Sequence, residues 1–69
     1  MNHSLKIYDL ETRIVVAIIH SGTNKGAEDI ANELYPDTSV YGWSYNDFTL
    51  IFDGDYDTHR AIDENGNYI

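Results

Sequence analysis

The 69-residue chain has no cysteine, a single proline, a single methionine, and only four Lys and Arg against twelve Asp and Glu. Each scarcity excludes something. Without cysteine there is no disulfide, no thiol nucleophile and no thiolate metal site, a composition that a reducing compartment permits. With a formal charge of −8, long-range repulsion opposes direct binding to nucleic acid or anionic lipid, and basic surfaces become the natural partners. The longest apolar run, Ile14 to Ile19, is far too short to span a bilayer, and the opening MNHSLKIYDL holds no signal-peptide core. The expectation is a soluble, cytoplasmic protein with no membrane partner.

Residues 1–69 form one domain, since a domain usually needs at least about 50 residues and no second core fits. A core in so short a chain rarely contributes more than about 3–5 kcal/mol net. Without a disulfide, tight packing or association with a second copy must reinforce it, so a homodimer is among the expected assemblies. The charge is uneven: Met1 to Pro36 holds five acids and three bases, whereas Asp37 to Ile69 holds seven acids and only Arg60.

LKIYD and RIVVAIIH are β-branched runs on either side of DLET, which predicts a hairpin with a loop of about four residues. Ile14 to Ile19 is apolar on both faces, as in a central strand covered on both sides. SGTNKGAEDIANELYP predicts the one helix. Ser21, Thr23 and Asn24 are candidate N-caps, and Glu28 and Asp29 are placed toward the positive end of the helix. Ala27, Ile30, Ala31 and Leu34 recur at i, i+3, i+4 and i+7 as one apolar stripe, and Pro36 ends the helix near Leu34.

VYGWSY-ND-FTLIFD reads as a second hairpin turning at Asn46 and Asp47. Tyr45 then faces Phe48, Trp43 faces Leu50 and Tyr41 faces Phe52, a one-sided aromatic ladder for the helix to cover. HRAID-ENG-NYI adds a short final strand or hairpin with NG as its turn signal. The fold class is α+β: a single helix packed on a small antiparallel sheet in ββαββ order, with an extra C-terminal strand. The expected core is Ile7, Ile14, Val16, Ile18, Ala27, Ile30, Ala31, Leu34, Trp43 and Leu50.

DGDYDTHRAIDE, residues 53 to 64, sets Asp53, Asp55, Asp57 and Glu64 at positions 1, 3, 5 and 12 of a calcium loop. The context breaks the pattern. Position 6, where such a loop needs Gly, is Thr58, position 9 is Ala61, and strand-like FTLIF and short NGNYI stand where helices should hold the loop's ends. Alternate carboxylates on an extended segment stand about 6.6 Å apart, too far to share one ion unless Gly54 bends the chain.

His3, His20 and His59 lack the spacing of a zinc pair. Adjacency of His20 and Ser21 does not make a nucleophile, and SGTNKG lacks the spacing of a phosphate loop. No metal, cofactor or catalytic residue is assigned, and the chain is expected not to be an enzyme. Tyr41, Trp43, Tyr45, Phe48 and Phe52 are assigned to the core, and Tyr8, Tyr56 and Tyr68 to exposed contacts.

In size, acidity, absence of cysteine and single-helix-on-sheet layout, the whole chain resembles the small proteins that bacteriophages and mobile elements encode to block host defence, including anti-CRISPR and antirestriction inhibitors. The resemblance lies in overall character, and no motif carries it. It implies a DNA-mimic mode of action in a host cytoplasm, by inhibition of a nucleic-acid-binding protein.

Independently, a nucleic-acid-binding protein keeps a trough of Lys and Arg for phosphates, and carboxylates on a rigid surface can occupy it. The partner-binding candidates are Asp47, Asp53, Asp55, Tyr56, Asp57, Asp63 and Glu64, with Glu28, Asp29 and Glu33 as a second patch. Two alternatives stand beside this reading: an antitoxin-like or regulatory module that neutralises a basic partner, and a small calcium-binding domain.

Overall fold

A computed structural model describes residues 3–22, 24–53 and 60–69 of the chain. Its elements are β1 (His3–Asp9), β2 (Val15–Ser21), α1 (Asn24–Leu34), β3 (Tyr41–Ser44) and β4 (Arg60–Ile62), hydrogen-bonded in the order β3-β1-β2-β4. The architecture is the expected α+β fold, one helix on a small sheet, with two corrections: the sheet is mixed rather than antiparallel, since β1 pairs antiparallel with β2 and β3 but β4 runs parallel to β2, and its fourth strand is the C-terminal one rather than the return strand of a second hairpin.

The first hairpin turns where Asp9 folds its side chain onto the loop, Oδ1 accepting from the amides of Glu11 at 2.8 Å and Thr12 at 3.1 Å. Asp and Asn do this readily because their short side chains imitate a backbone carbonyl. Arg13 closes the loop at φ 62°, a left-handed conformation uncommon for a residue with a Cβ. Neighbouring contacts hold it there, as set out below.

The register of β1 on β2 passes from Ile7↔Ala17 to Tyr8↔Val15, so Val16 is an extra, bulged residue. A bulge resets the alternation of side chains along its strand. Ala17 and Ile19 therefore face the helix with Leu5, Ile7 and Ile62, while Val15 and Ile18, three residues apart, share the opposite face. Of the three residues expected in the core here, only Ile18 is buried, in the cluster opposite the helix, while Val16 packs partly buried against the helix-side cluster and Ile14 is half-buried. Of the expected core, Ile7, Ile18, Ala27, Ile30, Ala31 and Leu50 are buried, and Leu5, Val15, Ala17, Ile19 and Ile62 join them.

The helix buries Ala27, Ile30 and Ala31 on the sheet, with Leu34 half-buried at its end. Glu28 and Asp29 fall in its second turn, beyond the first turn where the dipole acts most strongly. After Pro36, Asp37 makes another side-chain turn, its Oδ1 accepting from the Ser39 amide and hydroxyl, and the chain enters β3.

The second hairpin does not form. The Ser44 hydroxyl accepts from the amides of Asn46 and Asp47, and Asp47 Oδ1 accepts from the Thr49 amide and hydroxyl. These side chains take backbone groups that a returning strand would need. The segment instead crosses the sheet face opposite the helix, where Leu50 and Phe52 pack on Val15, Ile18 and Tyr8. A single parallel bridge, Ile14↔Ile51, anchors it.

The aromatic ladder is accordingly absent. Trp43 is 37% exposed at the sheet edge, and Phe48, expected in the core, is 88% exposed. The final turn does form: Asp63 Oδ1 accepts from the amides of Asn65 and Asn67, and Gly66 adopts φ 84°.

Candidate functional site

Acidic side chains make up the candidate surface, and the structure divides them by what their oxygens do. Asp9, Asp37, Asp47 and Asp63 each hold the turn that follows them. Hydrogen bonds from Ser39, side chain and backbone, hold the Asp37 carboxyl below its ordinary pKa. Thr49 does the same for Asp47, with a further contribution from Arg13. Such donors favour the ionised form of a carboxyl group.

Asp47 is tied on both oxygens. Its Oδ2 pairs with the Arg13 guanidinium at 2.6 Å, and the same Arg13 nitrogen donates to Thr49 Oγ1 at 3.1 Å. The Arg13 carbonyl accepts from the Ile51 amide at 2.9 Å, and its guanidinium lies 5.4 Å from the Tyr8 ring centroid. Arg13 thus fastens the crossing segment to the first hairpin. The Asp47 charge, expected to face a partner, is paired with Arg13.

Of the remaining sequence candidates, Asp29, Glu33, Asp53 and Glu64 are exposed, and Glu28 and Asp63 are partly buried. Glu28 stands near enough to Tyr45 to reinforce, after burial, an upward shift of that phenol's pKa. Asp29 and Glu33 are i and i+4 on the outer face of α1, a like-charge pair that isolated helices disfavour. Asp55, Tyr56 and Asp57 lie outside the described residues, as does the centre of the calcium-like stretch. Among the described residues no group of three or more His, Asp or Glu side chains is placed to hold a metal ion.

Among the described side chains, three cations are engaged locally. Besides Arg13, Lys6 donates to the Tyr45 carbonyl at 3.4 Å and stands 6.0 Å from the Phe48 ring centroid, and Arg60 lies 5.6 Å from the Tyr68 ring centroid. Tyr68 in turn reaches the Tyr35 hydroxyl at 3.5 Å, and Tyr35 packs edge-on against Tyr41 with centroids 5.0 Å apart. Burial, with the Tyr68 contact second, pushes the Tyr35 pKa up to about 12.

An open cleft of about 240 Å³ lies between the end of β2 and the final turn, lined by His20, Ser21, Gly22, Asp63, Glu64 and Ile69. His20 meets Ser4 across the sheet, Oγ to Nδ1 3.1 Å. Sequence reasoning missed this contact, the Arg13 hub and the turn-forming role of four aspartates. Three of the four aspartates carry a readable signal, Asp-x-Ser, Asp-x-Thr and Asp-x-Asn at residues 37, 47 and 63.

Comparison with family models, with curated proteins and with solved structures gave no match to this chain. No helix among the described residues is long and apolar enough to cross a membrane.

Proposed function

We propose that the chain is a small acidic inhibitor that presents carboxylates to the basic surface of a nucleic-acid-binding protein, in the manner of anti-CRISPR or DNA-mimic proteins, within a host cytoplasm. One observation carries the reading. Lys6, Arg13 and Arg60 are each turned to a local partner, while Glu11, Asp29, Glu33, Asp53 and Glu64 are exposed with no cation paired to them among the described residues. The excess charge of −8 is therefore available to an approaching surface rather than consumed by internal ion pairs.

Contacts between exposed charges act within about a Debye length, roughly 8 Å at 0.15 M salt, so capture of the partner weakens steeply as salt rises. The test is affinity capture from host lysate across a salt series, followed by a nucleic-acid-binding assay on the captured protein. Two charge-removing sets accompany the parent: Asp29→Asn with Glu33→Gln, and Asp53→Asn with Asp55→Asn and Asp57→Asn. At least one set should slow association and leave melting nearly unchanged. If both sets capture and inhibit as the parent does, or the captured protein has no nucleic-acid activity, the reading fails. A single fixed basic partner without that activity would favour the antitoxin-like alternative.

A further inference from the structure

We propose that the open edge of β3 pairs two copies of this chain, joining their sheets antiparallel about a two-fold axis beside Trp43.

The sheet has two outer strands, and one is already covered. Along β4, Ile62 bridges Tyr68 and the Ile69 amide donates to the Ala61 carbonyl at 2.8 Å. Along β3, no described strand pairs with the outer side.

Which backbone groups face outward follows from one hydrogen bond. Leu10 N–H donates to the Val40 carbonyl at 2.9 Å, one step beyond the Asp9↔Tyr41 pair. In an antiparallel ladder hydrogen-bonded and non-bonded pairs alternate. Val40, Gly42 and Ser44 therefore aim their groups at β1, and Tyr41 and Trp43 aim theirs outward. The Tyr41 amide is taken by the Asp37 carbonyl, which leaves the Trp43 N–H and C=O as the centre of any new pairing.

That centre is self-complementary. With Trp43 opposite Trp43 of a second copy, each Trp43 N–H meets the other's C=O. Tyr41 then stands opposite Tyr45, and Tyr41, Trp43 and Tyr45 share the helix side of the sheet with Ile7.

Charge selects the occupant. Thr38 to Asn46 carries no charged side chain, so the edge offers nothing to attract a basic strand. A second copy brings no like charges directly opposite each other. The usual protections of an edge, a Lys, a Pro or a bulge, are missing from β3. Only the net charge of −8 on each copy resists association, and salt screens that. Dimerisation should therefore tighten with salt, opposite in sign to the capture of a basic partner, so the two proposals fail separately.

The experiment is sedimentation equilibrium of the full chain up to millimolar concentration, at low and high salt, with Trp43→Pro and Trp43→Lys alongside. Of the backbone groups, proline removes only the outward N–H and spares the ladder to β1, and lysine, which lacks the indole as proline does but keeps the N–H, sets like charges across the axis. The parent should approach twice 7.9 kDa, more completely at high salt, and both variants should remain monomeric with parental circular dichroism. If Trp43→Pro does not fold, Trp43→Lys decides alone. A parent that stays at 7.9 kDa in both salts, a dimer that weakens with salt, or a Trp43→Lys variant that dimerises as the parent does overturns the proposal.

Discussion

Three isoleucines at graded exposure offer a direct measure of where this fold keeps its stability. Ile62 is 0% exposed in the helix-side core, Ile51 is 53% exposed on the crossing segment, and Ile69 is 80% exposed at the last position. Replacing each with Ala removes the same atoms, so differences report burial alone. At Ile62 the lost transfer energy is about 2.4 kcal/mol for three methylene equivalents, and the residual cavity brings the total to about 2–5 kcal/mol. A domain of 69 residues holds about 3–10 kcal/mol in all. Ile62→Ala therefore removes a large share of the total, and at about 4–8 °C per kcal/mol it should lower the melting temperature by at least about 8 °C. Ile69→Ala should fall within about 0.5 kcal/mol of the parent, and Ile51→Ala between the two. Thermal and urea unfolding followed by circular dichroism would measure the series. Equal effects at Ile62 and Ile69, or a shift of only a degree or two at Ile62, would refute the assignment of β4 to the core.

The turn aspartates predict an acid response. Asp37 and Asp47 have folded pKa values below 3.8 because Ser39 and Thr49 hydrogen-bond their ionised forms, so their contribution is present above about pH 4 and is lost as pH falls through the lower folded values. Asp37→Asn and Asp47→Asn should each flatten the stability profile below pH 4, and an unchanged slope would count against those contacts. Gly42 predicts a steric effect: a Cβ there would lie 2.8 Å from the Tyr8 ring and 2.9 Å from Leu10. Because those atoms are the ends of side chains that can swing aside, Gly42→Ala should destabilise by no more than about 1 kcal/mol, and Tyr8→Ala should remove what loss there is in a double-mutant cycle.

How much of this was readable in the sequence depends on how local the determining interaction is. The first hairpin, the helix stripe and the stop at Pro36 are set by neighbours in the chain, and they form where the periodicity put them. The doubly covered β2 was legible too, because a strand apolar on both faces must find two covers. What covers the second face was not, since Leu50 and Phe52 reach it only after the predicted hairpin fails. That failure has a local cause: Ser44 and Asp47 each turn the backbone with a side-chain oxygen and outweigh the Asn46-Asp47 hairpin signal. The Val16 bulge has no local mark at all. It reconciles the Asp9–Arg13 turn with the packing of two faces.

The candidate site shows the same division from the side of charge. Composition gives the total of −8, but not which carboxylates are committed to the fold. Asp9, Asp37, Asp47 and Asp63 shape the loops through their own oxygens, so removing any of them changes loop shape and charge together. Asp29, Glu33, Asp53 and Glu64 do no such work among the described residues, and a neutral isostere there changes the field while leaving backbone partners intact. The distinction matters because acid-rich proteins invite the inference that every carboxylate faces a partner. Here the Asp-x-Ser/Thr/Asn signature marks three of the four turn-forming acids, Asp37, Asp47 and Asp63, before any binding experiment, and Asp9, followed by Leu10 and Glu11, is the one it does not mark. The same logic explains how so small a core tolerates so large a charge: part of the excess is converted into the hydrogen bonds that close its loops.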